Sequence, residues 1–164
     1  MIDDNPVRAG GIGSIAVQLA KHIGAHVVTT VTAADVEYVR RLGADETIDY
    51  ETQKFEEVVR DLDAVFDTVG GSTYVRSFRV LKRGGRLVSM LERPREDLVR
   101  QFGVESIAQV TEVTSERLAR LAGMVDSGAV KVDLDRSYPL DQAGAALEHL
   151  EKDKPRGKVV LAIG

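Results

Sequence analysis

Along the chain, stretches whose apolar residues recur every three or four positions alternate with short apolar runs rich in β-branched residues. The first pattern marks a helix with one buried face, and the second marks a strand buried on both faces. Ile12, Ile15, Ala16, Leu19 and Ile23 share one helical face, and Gly24 ends that helix. His26–Val31 reads as a buried strand, Ala33–Leu42 as a helix closed by Gly43, and Thr47–Tyr50 as the next strand. A brief helix is expected over Phe55–Leu62 and a strand over Ala64–Asp67, which runs into the turn Thr68-Val69-Gly70-Gly71. Tyr74, Phe78 and Leu81 mark a further helix, after which Gly84-Gly85 turn the chain into the strand Arg86–Met90.

The pattern weakens over the charged stretch Glu92–Gln101, a mixture of loop and helix. Ser106–Val113 reads as a strand. Leu118, Leu121, Ala122 and Val125 form a helical stripe, capped by Thr114 or Ser115 and ended by Gly128. A helix carrying Ala143, Ala146, Leu147 and Leu150 and a strand over Lys158–Ile163 close the chain. No repeat or linker interrupts this order, so residues 1–164 read as one α/β domain with a parallel sheet.

Composition narrows the function classes. At 164 residues the chain has room for one core and too little for two. A formal charge of −4 argues against a nucleic-acid binder, which needs a basic surface. No apolar run is long enough for a membrane span, and Met1-Ile2-Asp3-Asp4 is no signal peptide, so the expected location is cytoplasmic. The absence of cysteine removes disulfides, a thiol nucleophile and cysteine-based zinc sites. The three histidines, His22, His26 and His149, lack metal-ligand spacing, and no zinc is expected.

The readable chemistry is the turn Ala9-Gly10-Gly11-Ile12-Gly13, which opens the first helix. A pyrophosphate sits well where unpaired N–H groups and the positive end of a helix dipole face it. Gly10 and Gly11 permit close approach, and Gly13 permits tight packing of the helix on a neighbouring strand. With strands and helices alternating behind it, this turn predicts a Rossmann-like, doubly wound domain that binds a dinucleotide. The same layout fits a methyltransferase that binds S-adenosylmethionine, so the turn alone does not name the ligand.

The string Gly10-Gly11-Ile12-Gly13-Ser14-Ile15-Ala16-Val17-Gln18-Leu19-Ala20-Lys21 resembles the medium-chain dehydrogenase/reductase superfamily, specifically its zinc-independent quinone oxidoreductase branch. Arg41-Leu42-Gly43-Ala44-Asp45 with Ile48-Asp49-Tyr50 is similar to the end of that family's second nucleotide-binding unit. Phe66-Asp67-Thr68-Val69-Gly70-Gly71 and Gly84-Gly85-Arg86-Leu87-Val88 resemble its next two strand ends. Tyr138-Pro139-Leu140 through Arg156-Gly157-Lys158-Val159-Val160-Leu161 resembles its C-terminal signature. The matches arrive in the family's order and cover nearly everything from Ala9 to Gly164.

The resemblance implies an NAD(P)H-linked reductase that transfers hydride to quinones, enones or related carbonyl compounds. The cofactor supplies the hydride, and the protein supplies position and electrostatics. It implies that Gly10, Gly11, Ile12 and Gly13 hold the pyrophosphate, and that Thr32 and Tyr50 lie near the adenosine ribose and its 2′-phosphate. Val69, Gly70, Ser89 and Met90 are implied at strand ends facing the ribose and nicotinamide. Asp67 reads instead as a turn carboxylate that satisfies backbone N–H groups. NADP is favoured over NAD, because Thr29-Thr30-Val31-Thr32 lacks the acidic strand end of an NAD site. Against this, Asp35 stands where phosphate-binding relatives often carry lysine or asparagine; Arg40 and Arg41 read as a solvated helix face.

The resemblance also implies a substrate domain before the glycine turn, where only Met1–Arg8 stand, so no catalytic residue is assigned. Ile2-Asp3-Asp4-Asn5-Pro6-Val7-Arg8 is charged and contains proline, whereas a central strand should be continuously apolar. The sheet is therefore expected to lack its first central strand, leaving a chain that is marginally stable or borrows a strand. Association with itself or with a complementing domain is expected, with Ser106–Val113 at the interface. The alternatives are a dinucleotide-binding module without chemistry and a truncated, non-functional fragment.

Overall fold

The computed structural model describes residues 10–153 and 155–163. Seven strands and seven α-helices alternate along them. Helix α1 (Gly13–His22) leads into β1 (Val28–Val31), and α2 (Val36–Arg41), entered through a short 3-10 turn, leads into β2 (Glu46–Asp49). Helix α3 (Phe55–Val58) precedes β3 (Leu62–Asp67), α4 (Gly71–Ser77) precedes β4 (Leu81–Ser89), and α5 (Glu96–Phe102) precedes β5 (Glu105–Ala108). Helix α6 (Ser115–Asp126), β6 (Leu134–Pro139), α7 (Ala143–Asp153) and β7 (Lys158–Ala162) complete the order.

Every strand pairing is parallel. β1 pairs β2 from Val28↔Glu46 to Val31↔Asp49, β3, β4 and β5 form a three-stranded ladder in that order, and β6 pairs β7. Parallel pairing requires a crossover between strands, which is why a helix stands before each described strand. All four residues of β1 are buried, as a strand covered on both faces demands. One core cluster gathers Val28, Ile48, Phe55, Val65, Tyr74, Phe78 and Leu87; a second, under α1 and α2, gathers Val17, Val27, Val31, Tyr38 and Val39. Met1–Arg8, expected not to supply a central strand, lie outside the described residues.

Two expected helices are shorter than their periodicity suggests. Phe55, Val58, Val59 and Leu62 have helical spacing, yet α3 ends at Val58, Asp61 takes a φ of 57°, and Leu62 opens β3. Tyr74, Phe78 and Leu81 repeat the coincidence: α4 ends at Ser77, and Leu81 pairs with Leu62 before the bulge that carries Gly84 and Gly85. The strand expected over Ser106–Val113 runs only from Glu105 to Ala108, with one further bond from Gln109 N–H to the Ser89 carbonyl (2.7 Å). Strand β6 carries no sequence signal, because five of its six residues are exposed and only Tyr138 is buried. Thr114 caps α6 as expected, accepting from Arg117 N–H at 3.2 Å. No helix of the described residues is long and apolar enough to cross a membrane.

Candidate functional site

The glycine turn is built around one carbonyl. Gly10 O accepts from both Ser14 N–H (3.0 Å) and Ser14 Oγ (2.9 Å), which closes the first turn of α1. Ile12, at the helix start, provides no side-chain cap, and the first turn holds no acidic residue. An uncapped helix start of this kind leaves donors and a positive dipole end facing outward, suited to an anion. Gln18 fixes the helix from below, exchanging two bonds with the backbone of Lys131 (2.9 and 2.7 Å). On the open side, the Lys158 side chain lies across Gly11: a Cβ there would meet its Cδ and Nζ at 2.6 Å.

The second part of the site lies just past β1. Thr32 is buried, and its hydroxyl donates to Asp35 Oδ2 at 3.0 Å. Asp35 is fully buried, and its Oδ1 accepts from Arg156 Nε at 2.6 Å; Arg156 also donates to the Ala34 carbonyl at 2.6 Å. The charge expected at Asp35 is thus already opposed by a guanidinium 121 residues away in sequence. Tyr38 lies beneath, with the guanidinium carbons of Arg41 and Arg156 at 6.0 and 5.8 Å from its ring centre. Burial, and then the neighbouring Asp133 carboxylate, push the Tyr38 phenol up to about 12. Tyr50 N–H donates to Val31 O at 3.2 Å, which sets Tyr50 beside Thr32 with its hydroxyl buried.

Asp67 organises the third part. Its Oδ1 accepts from Val69 N–H (3.0 Å) and Gly70 N–H (2.9 Å), and its Oδ2 accepts the Ser89 hydroxyl (2.7 Å). Ser89 Oγ in turn accepts from Leu91 N–H (3.2 Å) and Glu92 N–H (3.0 Å), while Met90 N–H donates to the Asp67 carbonyl (3.0 Å). This network brings Val69, Gly70, Ser89 and Met90 together at the ends of β3 and β4. It turns the Ser89 side chain inward, so only backbone there is left to face outward. Gly70, with φ 75° and ψ −161°, holds a conformation that only glycine adopts readily.

Thr32, Tyr50, Val69, Gly70, Ser89 and Met90 therefore lie at the C-terminal ends of parallel strands, where ligands bind in open α/β sheets, and Gly10–Gly13 open α1. Arg156, Lys158, Tyr38 and Asp133 were not singled out from sequence. For Arg156 and Lys158 the signal was present, since two basic residues flank a glycine in the C-terminal motif. The histidines stand apart from this site. His26 Nε2 lies 2.7 Å from Glu46, and His149 is clamped between Asp135 and Asp153, each at 2.7 Å. Among the described residues no group of three or more His, Asp or Glu side chains is placed to hold a metal ion. A cavity of about 690 Å³, lined by Leu19, Ile23, Phe66, Leu121 and Met124, opens between α1 and α6, away from the glycine turn.

Parallel strands with crossover helices, meeting a glycine turn at an uncapped helix start, define a Rossmann-like nucleotide-binding fold. Residues 42–161 match the family described as zinc-binding dehydrogenase. The chain is 34% identical over 157 residues to the chloroplastic NADPH-dependent alkenal/one oxidoreductase of Arabidopsis thaliana, covering 93% of this chain and 38% of that protein. It aligns with the quinone oxidoreductase of Coxiella burnetii at a TM-score of 0.89 and 29% identity, covering 99% of this chain and 52% of that one. It aligns with Escherichia coli quinone oxidoreductase complexed with NADPH at 0.85 and 28%, covering 99% and 56%. The chain belongs to the zinc-binding dehydrogenase family, on the quinone oxidoreductase-like side of the medium-chain dehydrogenase/reductase superfamily. It spans between 38% and 56% of the length of these relatives.

Proposed function

We propose that this chain is the NAD(P)H-binding domain of a quinone oxidoreductase-like enzyme. The observation that carries the reading is the uncapped, acid-free start of α1 behind Gly10 and Gly11, tied to the end of β1 through the Gly10–Gly157 bridge and the Arg156–Asp35 pair. These residues fit a dinucleotide. The backbone of Gly10, Gly11 and Ile12 at the start of α1 seats the pyrophosphate, Gly13 gives the helix approach, and Thr32 and Tyr50 form the wall beside the adenosine ribose. The backbone of Val69, Gly70, Ser89 and Met90, held rigid by Asp67, lines the ribose and nicotinamide end.

When bound, the reduced nicotinamide supplies a hydride. The chain's own part is to hold the dinucleotide by its phosphates and to fix the strand ends against which the ring rests. NADP is favoured over NAD, because Asp35 is buried behind Arg156 and is closed to a ribose diol. The Arabidopsis relative's name specifies NADPH, which supports the same choice. Residues 1–164 are read as this one domain, with a small quinone or enone as substrate once a substrate domain completes the cleft. We place it in the cytoplasm, although the Arabidopsis relative is chloroplastic, and expect self-association through the outer edge of β5, which no described strand pairs.

Calorimetric titration with NADPH and NADH tests the reading. Saturable binding of either supports it, and heats of dilution alone would discard it. Where binding is found, NADPH oxidation on adding a simple quinone separates an enzyme from a binding module.

A further inference from the structure

The short segment between α7 and β7 delivers two cations to the glycine turn. Gly157 forms a parallel bridge with Gly10, which fixes its neighbours on either side of that contact. Its φ of 78° suits glycine, and a Cβ would collide with the Asp133 carbonyl oxygen, so the placement is held by backbone. On one side Arg156 reaches past the end of β1 to Asp35 and the Ala34 carbonyl. On the other, Lys158 runs across Gly11.

Arg156 thus stands past the end of β1 on the carboxylate that Thr32 also engages, and Lys158 stands at the glycine turn. Asp35 accepts Thr32 Oγ1 on one oxygen and Arg156 on the other, and it is fully buried. A ribose hydroxyl cannot reach it without displacing the arginine. The Arg156 side chain is 45% exposed, and a guanidinium carries five N–H donors, so donors beyond the two engaged here are available to a further oxyanion. Guanidinium pairs with phosphate through parallel charged hydrogen bonds, while an ammonium on a flexible stem acts as a point charge.

We propose that Arg156 selects NADP over NAD by binding the adenosine 2′-phosphate, and that Lys158 steadies the pyrophosphate at Gly11. This rests on the dinucleotide reading above and goes beyond it by placing the cationic half of the site on the C-terminal segment. Phosphate selectivity then comes from the end of the chain rather than from the helix after β1, where Asp35 stands.

The test titrates NADPH and NADH, by nucleotide fluorescence, into the wild-type chain and into Arg156→Gln, Arg156→Lys and Lys158→Gln. Arg156→Gln should weaken NADPH at least tenfold while leaving NADH within twofold. Arg156→Lys should retain most of the NADPH preference, and Lys158→Gln should weaken both nucleotides by a similar factor. Equal effects of Arg156→Gln on the two nucleotides, or none, would overturn the assignment while leaving the dinucleotide site intact. Binding of neither nucleotide by wild type would instead remove the reading beneath it. Should Arg156→Gln fail to fold by circular dichroism, wild type decides the matter. Its NADPH affinity must then fall more steeply with salt than its NADH affinity, and parallel slopes reject the proposal.

Discussion

Replacing Asp67 by asparagine keeps size and shape and changes only the hydrogen-bonding pattern. In wild type the carboxylate accepts three bonds, two from Val69 and Gly70 N–H and one from the Ser89 hydroxyl. Ser89 Oγ already accepts two N–H groups, from Leu91 and Glu92, so its single proton has to go to Asp67. An asparagine that keeps its oxygen toward the amides turns its NH2 toward Ser89, where a donor meets a filled acceptor and the hydroxyl proton loses its partner. The flipped amide is worse, setting NH2 against two N–H groups. Losing a bond to a charged group removes about 1.5–3 kcal/mol, and leaving a buried donor unsatisfied costs a similar amount, only partly offset by no longer burying a charge. We expect Asp67→Asn to destabilise the chain by about 2–3 kcal/mol, a roughly 30- to 150-fold fall in the folded-to-unfolded ratio. Urea denaturation followed by far-UV circular dichroism measures this, with Ser89→Ala and the double variant completing a cycle. The two sites must be non-additive. A change below about 0.5 kcal/mol for Asp67→Asn, or strict additivity, would refute the network as the fastening of β3 to β4.

Two further outcomes are expected. Gly157→Ala, at φ 78° and against the Asp133 carbonyl, should cost at least about 1–2 kcal/mol from the left-handed conformation alone and lower the melting temperature; an unchanged melt would show that the segment is not held as described. His149 is held protonated above the ordinary imidazole value by Asp135 first and Asp153 second. A raised folded-state value makes its stabilisation complete below the unfolded pKa and lost as pH rises through the folded one. The wild-type melting temperature should therefore drop from mildly acidic to alkaline pH by more than that of His149→Gln, and parallel profiles for the two would contradict the clamp.

The alternation of helix and strand was legible because α/β layers bury strands such as β1 on both faces and helices on one. Val28–Val31 show the first plainly, whereas the Leu118–Val125 stripe has the helical spacing of α6 but is exposed. Element ends misled where helical spacing arose by chance: Leu62 and Leu81 fall in phase with the preceding helices but open strands, and only a backbone turn such as that at Asp61 reveals it. β6 was hidden because an exposed strand has no reason to be apolar. The family was readable from glycine-bearing turns, since those sequences are constrained by backbone geometry. Asp67 was legible as a turn carboxylate, and Ser89 stands at the expected strand end, but its hydrogen bond to Asp67, 22 residues away, could not be read locally. The link from Asp35 to Arg156 could not be read locally, because it joins positions distant in sequence that meet only once Gly157 bridges Gly10.

The most direct measurement follows the backbone amides of Gly11, Ile12 and Gly13 by nitrogen–proton NMR correlation while NADPH is added. Large shifts at these three, accompanied by smaller ones at Thr32, Tyr50, Gly70 and Met90, are the predicted result. Saturating NADPH that leaves the three amides unmoved, or that perturbs the α1–α6 cavity instead, would contradict a phosphate seat at the start of α1.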